Sequence, residues 1–337
     1  MRILYHHTAP RASIAGTEAV VQEVELLRAH FGGEVVALLP PFEPRAMRAR
    51  PLYGWHRLPA ILRLEQRCDL HHVYNSDLYL FPILRLLRKP IVYTVVSGLR
   101  PRFQTRSVRA LRRLRGVAVP GRHDVSVLED LGLRNVRVAR PGIDVARFRQ
   151  TPPPTGREFV LLAGSAPWIE DQFRSKGFET LFRVAEHTPW LRLILLWRGR
   201  LRDELQRRLA RARLIDRVDV IDEWVDVNEV LARAHAAIVL ARTPDLIKAF
   251  PHSLIEALAC GRPAVTNACV PMADYLLATG TGEVAEAVSE RAVLAAIERL
   301  KTDYAARQAR AVEVGPRDFS REGLIAAYHA LYEAAVG

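Results

Sequence analysis

Apolar positions follow two alternating rhythms along this chain. In the first half, short runs rich in Ile, Leu, Val and Tyr at Arg2 to His6, Glu34 to Leu39, Leu70 to Tyr74, Ile91 to Val96, Val117 to Val119 and Val136 to Ala139 predict strands. Between them, Glu18 to Ala29 places Val20, Val21, Val24 and Leu27 at helical period, and Leu58 to Gln66, Leu78 to Leu87 and His123 to Leu131 predict further helices. Residues 149–157, RQTPPPTGR, break the rhythm with consecutive prolines and a glycine, which predicts a domain boundary at 150/151. The alternation then resumes. Strands are expected at Phe159 to Ala163, Leu191 to Leu196, Val218 to Ile221, Ala236 to Leu240 and Arg262 to Thr266. A long loop runs from the first of these to Lys176 and Gly177, and helices end the chain at Met272 to Leu277, Ser289 to Thr302, Asp303 to Val312 and Ser320 to Ala335. Strands separated by helices mean βαβ units and parallel sheets, here in two doubly wound α/β domains with a cleft between them.

Within this pattern the stretch Lys248 to Thr266, KAFPHSLIEALACGRPAVT, is the most informative. It reads as a loop, a short apolar helix opened near Pro251, a stop at Gly261 and a strand. Glu256 is the only charge in LIEALAC. A carboxylate among Leu254, Ile255, Leu258 and Ala259 must be met by hydrogen-bond donors, whether from a ligand or from one of the many arginines. The helix follows a strand, and in an open α/β sheet the carboxyl edge is where ligands sit, with anions favoured at a helix N-terminus. That arrangement suits a sugar nucleotide, with the diphosphate at Ser253 and Leu254 and the ribose hydroxyls on Glu256.

Composition narrows the class. A chain of 337 residues with 49% hydrophobic and 26% charged content is globular and long enough for two cores. Cys68, Cys260 and Cys269 have no paired spacing, so no disulfide framework or zinc site is expected, and a cytoplasmic location follows. No run is long enough to span a bilayer.

The net charge of +12 is uneven: residues 1–150 hold 25 Lys+Arg against 12 Asp+Glu, and the remainder is close to neutral. Such asymmetry concerns partners rather than fold. Arg100 to Arg115 contains seven arginines and no acid, with 102, 106, 109 and 113 at helical spacing. This predicts a basic amphipathic segment that would meet an anionic membrane surface on its inner face, or hold an acidic or lipid-linked acceptor. Without aromatic interleaving or a groove-reading motif, nucleic acid is not expected.

Taken together, AGTEAVV after the first strand, PGIDVARF before the linker, KGF after the first strand of the second half, and FPHSLIEALACGRPAV resemble a GT-B glycosyltransferase of family four. The PGIDVARF stretch is similar to that family's N-G-I-D-x-x-R-F, and the last helix, with Tyr328 and Tyr332, resembles the one that returns to the first domain. The resemblance implies an acceptor-binding domain over 1–150, a nucleotide-sugar domain over 151–317 and a returning helix over 318–337. It implies a retaining, metal-independent transfer from a UDP- or GDP-linked donor, without a further cofactor. By resemblance Lys176 meets the donor diphosphate, Glu256 the ribose, and Gly16 lets backbone approach the donor and acceptor. Alternatives are a non-catalytic GT-B binding protein and a sugar-nucleotide isomerase.

Three positions depart from the family pattern. Lys248 stands where a second glutamate is usual, Ser165 where an arginine is usual, and Val96 where a histidine is usual. Lys248 either contacts the donor or pairs with Asp245 or Glu256, and Asp245 is placed to take over the missing acid's role. His6 and His7 follow the first strand as a packed pair or as acceptor-side groups, His71 and His72 are expected to include at least one buried ring, and Trp224 either borders a base or fills a core.

Overall fold

The computed structural model describes residues 1–9, 19–39, 50–99, 111, 113–164, 166–197, 201–244 and 247–337. Gly16, Ser165, Asp245 and Arg100 to Arg112, apart from Leu111, lie outside them. The chain forms two compact units, Met1–Gly142 with Arg321–Gly337, and Ile143–Ser320. The predicted boundary at 150/151 thus differs: Ile143 N donates to Phe319 O and bridges to Ser320, which places the residues before the proline run in the second unit.

In the first unit, β1 (Ile3–His7), β2 (Gly33–Ala37), β3 (Leu70–Asn75), β4 (Ile91–Val95), β5 (Leu114–Val119) and β6 (Val136–Val138) form one parallel sheet in the order β2-β1-β3-β4-β5-β6. Helices α1 (Ala19–Phe31), α2 (Leu58–Glu65) and α3 (Arg122–Asp130), together with the C-terminal helix Arg321–Val336, cover it. Both faces are buried, so the strands read as nearly continuous apolar runs. Ile3, Tyr5, Tyr74 and Val92 point to the face shared with α1 and the C-terminal helix, whereas Leu4, Val73 and Tyr93 point to the other.

Two predicted elements of this unit are corrected. Leu78 to Leu87 is not an α-helix: only Pro82–Leu86 coils, as a 3-10 turn, because Pro82 holds Phe81 in an extended conformation at φ −57°, ψ 134°. Of the basic amphipathic segment, Leu114 and Arg115 belong to strand β5, where pairing with β4 overrides the helical spacing.

The C-terminal helix is fixed to the sheet by polar contacts as well as apolar ones. Tyr332 OH lies 2.6 Å from His72 Nδ1, His72 Nε2 lies 2.7 Å from Thr94 Oγ1, and Thr94 Oγ1 lies 2.7 Å from Tyr328 OH. With Tyr332 donating to Nδ1, the neutral ring donates from Nε2 to Thr94. Burial pushes the His72 pKa down to about 3. On the opposite sheet face His71 donates from Nε2 to Glu65 Oε1 at 2.9 Å, and its Nδ1 lies 3.0 Å from His6 Nε2. His71 and His72 are therefore both buried, His6 packs against His71, and His7 is half-buried at the strand end.

The second unit repeats the architecture with β7 (Phe159–Ala163), β8 (Leu191–Leu196), β9 (Val218–Ile221), β10 (Ala236–Ile238), β11 (Ala264–Asn267) and β12 (Gly282–Ala285) in the order β12-β11-β10-β7-β8-β9, all parallel. Its helices are α4 (Asp171–Ser175), α5 (Phe178–His187), α6 (Arg202–Arg211), α7 (Val227–Ala232), α8 (His252–Ala259), α9 (Ala273–Thr279), α10 (Glu290–Thr302) and α11 (Tyr304–Asp318). Strand β12 and helix α4 are absent from the sequence-based expectation. GEVA has few β-branched residues and a charge, yet Glu283 is buried there because Arg299 and Arg307 meet its carboxylate at 2.9 and 2.5 Å.

Helix α11 runs past the predicted end at Val312 through Gly315 and Pro316. Pro316 cannot donate to Val312 O, and Gln150 Nε2 donates to that carbonyl instead at 2.9 Å. Gly315 lets α11 lie directly on α8, since a Cβ there would stand 2.1 Å from Leu258 O. Gly315→Ala is expected to cost about 1–3 kcal/mol by overpacking, read as a fall of roughly 2–4 °C in melting temperature per kcal/mol. An unchanged melting temperature would mean that the two helices can separate freely.

Candidate functional site

The strand order of the second unit reverses between β7 and β10, and in a doubly wound sheet ligands bind at the carboxyl ends of the strands flanking such a point. Three segments leave or reach this edge: the chain after β7 to Lys176 and Gly177, the chain after β10, and the start of α8.

Helix α8 presents a narrow polar stripe. Leu254, Ile255, Ala257, Leu258 and Ala259 are fully buried, while His252, Ser253 and Glu256 are half-exposed. These three lie at positions i, i+1 and i+4, so one helix face carries an imidazole, a hydroxyl and a carboxylate. Pro251 caps the helix, and its carbonyl accepts from Leu254 N at 3.0 Å and Ile255 N at 3.2 Å. The amides of His252 and Ser253 have no acceptor within the helix, which gives its start the partial positive character that favours an anion. Leu254 can thus offer only its position in the first turn, its side chain being core. Ser253 sits against Gly164, just beyond β7, where an added Cβ would meet the serine Cβ at 2.9 Å.

Lys176 ends α4, and its ammonium donates to Ala166 O at 3.0 Å, which holds it over the loop that leaves β7. Gly177 follows at φ +73°, and a Cβ there would lie 2.6 Å from Leu240 Cβ. Only glycine permits both the left-handed turn and this approach to the chain after β10. Phe173, fully buried under Arg208, anchors α4 from below, and Arg208 also meets Glu179 and Glu204 at 2.8 and 2.6 Å.

Two positioning residues escape sequence reading. Asn267, at the end of β11, forms a paired clamp on Ala241: its Oδ1 accepts from Ala241 N and its Nδ2 donates to Ala241 O, both at 2.9 Å. Arg242 N then donates to Ser175 O at 2.8 Å, and so ties the segment after β10 to the residue before Lys176. Neither contact has a local signal, because each joins residues remote in sequence. His252 had one: it stands four residues before Glu256 on a helix otherwise apolar.

The structure therefore brings Lys176, Ser253, Leu254 and Glu256 to one sheet edge. Lys248 lies half-buried in the segment leading to α8. Trp224 fills no core; it is 72% exposed after β9. His6 and His7 belong to the first unit.

Two parallel doubly wound six-stranded sheets on one chain, with the last helix on the first, define the GT-B fold of glycosyltransferases. Residues 158–316, nearly the whole second unit, match the family model described as glycosyl transferases group 1. Sucrose-phosphate synthase from Thermosynechococcus elongatus is similar at 17% identity and a TM-score of 0.70, over 99% of this chain and 98% of that one. HepE from Anabaena, solved in complex with UDP, is similar at 16% identity and a TM-score of 0.68, over 99% of this chain and 100% of its own. A glycosyltransferase from Rickettsia africae aligns at 12% identity and a TM-score of 0.71, over 99% and 98%. No curated protein matches the chain in sequence.

Proposed function

We propose that the chain transfers a sugar from a nucleotide-diphosphate sugar to an acceptor hydroxyl, with retention of configuration and without a bound metal. The observation that supports this reading is that the loop carrying the Lys176 ammonium leaves β7, and the helix α8 carrying Glu256 follows β10, the two strands between which the order of the second sheet reverses. In this reading the first-turn amides at His252 and Ser253 face the diphosphate, and Glu256 accepts hydrogen bonds from the two ribose hydroxyls. Lys176 stabilises the negative charge that grows on the leaving diphosphate, an electrostatic contribution realised mainly in the transition state. HepE has been solved with UDP, with UDP and glucose and with UDP-glucose, which favours a uridine donor here over a guanosine one. The acceptor is an acidic or lipid-linked hydroxyl compound bound by the more basic first unit.

The test is thermal stabilisation by UDP, GDP and their sugar conjugates, followed by a transfer assay. A nucleotide at roughly 100 times its dissociation constant adds about 2.7 kcal/mol. Absence of stabilisation by any of them would overturn the reading. Stabilisation by the intact donor without turnover favours the non-catalytic alternative, which the departures at Lys248 and Ser165 keep open. Conversion of the donor sugar without an acceptor favours the isomerase.

Lys248 supplies the donor preference within the same proposal. An ammonium in place of a carboxylate donates only, and attracts an acidic group on the sugar. Anionic donors are then preferred over neutral hexoses, and Lys248→Glu reverses that preference while leaving UDP affinity within a few-fold. Equal donor profiles for the two proteins would remove Lys248 from the sugar end.

A further inference from the structure

The stretch from Arg50 to Lys89 in the first unit carries an apolar face that nothing among the described residues covers. A 3-10 turn at Trp55–Arg57 runs directly into α2, so Trp55, Pro59 and Leu62 fall at i, i+4 and i+7 on one side. All three are exposed, and Leu52 joins them one turn earlier. Leu52 is 64% accessible, Trp55 43% and Leu62 37%. The inward side of the same helix carries its own apolar residues, with Ile61 buried and Leu58 and Leu64 partly so. Helix α2 is thus apolar nearly all round, the pattern of a helix with a second apolar environment outside.

The segment after the Pro82 turn runs alongside. Gly54 abuts Ile83, and Glu65 Oε1 accepts from Arg88 N at 2.6 Å and Lys89 N at 3.1 Å. Leu86, at the end of that turn, is 46% exposed. The same stretch carries six exposed cations: Arg57, Arg63, Arg67, Arg85, Arg88 and Lys89. The three acids of residues 50–99 are all engaged elsewhere. Glu65 is buried against His71, Asp69 accepts from Arg2 N at 2.7 Å, and Asp77 pairs with Arg50 at 2.9 Å.

We propose that this face, formed by Leu52, Trp55 and Leu62 on a stretch rich in exposed cations, docks the first unit onto an anionic lipid bilayer. The chemistry selects a bilayer over a protein partner, because protein interface cores are depleted of charge and a protein would need a matching acidic rim around an apolar centre. A membrane supplies both at once. Apolar side chains and an indole enter the headgroup region, and long basic side chains reach lipid phosphates while their stems stay in apolar surroundings. Trp55 is prepared for that depth: its indole N–H already donates to Pro51 O at 3.0 Å, so insertion leaves no unsatisfied donor. This docking is independent of the site in the second unit.

The experiment is co-sedimentation of the full chain with vesicles of phosphatidylcholine alone and of phosphatidylcholine with phosphatidylglycerol. The protein is expected to partition at least roughly tenfold more strongly onto the anionic vesicles, with the difference shrinking as salt is raised. Trp55→Ala with Leu62→Ala, and separately Arg63→Gln with Arg67→Gln and Arg88→Gln, should each lower partition roughly tenfold or more. Because the substituted residues are exposed, melting temperature and stabilisation by UDP serve as controls and should not change. Equal partition of the native protein onto both vesicles overturns the proposal, as does native-like partition by both variants, which would put the attachment elsewhere in the chain. Retention on single-stranded RNA in place of vesicles would assign the face to a polyanion without an apolar phase, and likewise overturn it.

Discussion

Glu256→Ala is expected to weaken binding of UDP between ten- and a hundredfold while leaving the melting temperature of the free protein nearly unchanged. Glu256 stands half-exposed on a helix whose other inner positions are fully buried, so its removal opens no core cavity. What it removes is a charged acceptor for two neighbouring hydroxyls, and a hydrogen bond to a charged group contributes about 1.5–3 kcal/mol. Lys176→Ala should have a comparable effect on the diphosphate and little on a nucleoside without phosphates, which offers its ammonium no opposite charge. Calorimetric titration of UDP, uridine and the two variants separates these roles. If uridine weakens with Lys176→Ala as much as UDP does, the lysine orders the loop after β7 instead of meeting phosphate. Native-like UDP binding by both variants would place the nucleotide away from this edge.

The second large effect is on stability in mild acid. Burial pushes the His72 pKa down to about 3, and His6 and His71 are lowered too. For His6 burial comes first, followed by repulsion from the neighbouring histidines. For His71 burial outweighs the pull of Glu65. A histidine whose folded value is depressed leaves stability intact above its unfolded value of 6.5 and lowers it as pH falls below that, because only the unfolded chain takes up the proton. Each pH unit in that window costs about 1.36 kcal/mol per fully depressed group, so His72 alone removes about 2 kcal/mol between pH 6.5 and about pH 5. His6 and His71 act in the same direction. Glu65 does not offset them in this range. Burial disfavours its charged form, but hydrogen bonds from His71 and the N–H groups of Lys89 and Arg88 hold its pKa below 4.5. Urea midpoints measured from neutral pH down to about pH 5 should fall steadily. His72→Gln should flatten part of that slope at the expense of stability at neutral pH. A midpoint independent of pH in this interval would mean that the buried rings are protonated in the folded chain.

How much of the fold was readable depends on where each element gets its stability. Strands such as Ile91–Val95 and Leu191–Leu196 are covered on both faces, and such a strand is apolar at nearly every position, which is visible without neighbours. The helix His252–Ala259 was legible for the converse reason: one carboxylate in an apolar run must have an explanation. Errors fell where tertiary contacts replace local preference. Strand β12 holds a glutamate that only Arg299 and Arg307, from two other helices, make tolerable. Helix α11 continues through Gly315 and Pro316 because α8 packs on the glycine and Gln150 takes over the carbonyl that the proline leaves.

The periodicity of the chain was enough for the two parallel sheets and for the residue types at the candidate edge, whereas the division between the units fell at Gly142/Ile143, ahead of the proline run. The sheets and the residue types follow from periodicity and from the cost of burying polar groups, which act residue by residue. The tertiary structure decided which strands neighbour one another, and with that the point between β7 and β10 where the strand order reverses. It also decided that Asn267 clamps Ala241, that Arg242 ties that segment to Ser175, and that His72 and the Tyr328–Tyr332 pair hold the last helix to the first sheet. Each of these joins groups that are remote along the chain. A hydrogen bond between them has no periodicity to announce it and comes into being only when folding brings its two ends together.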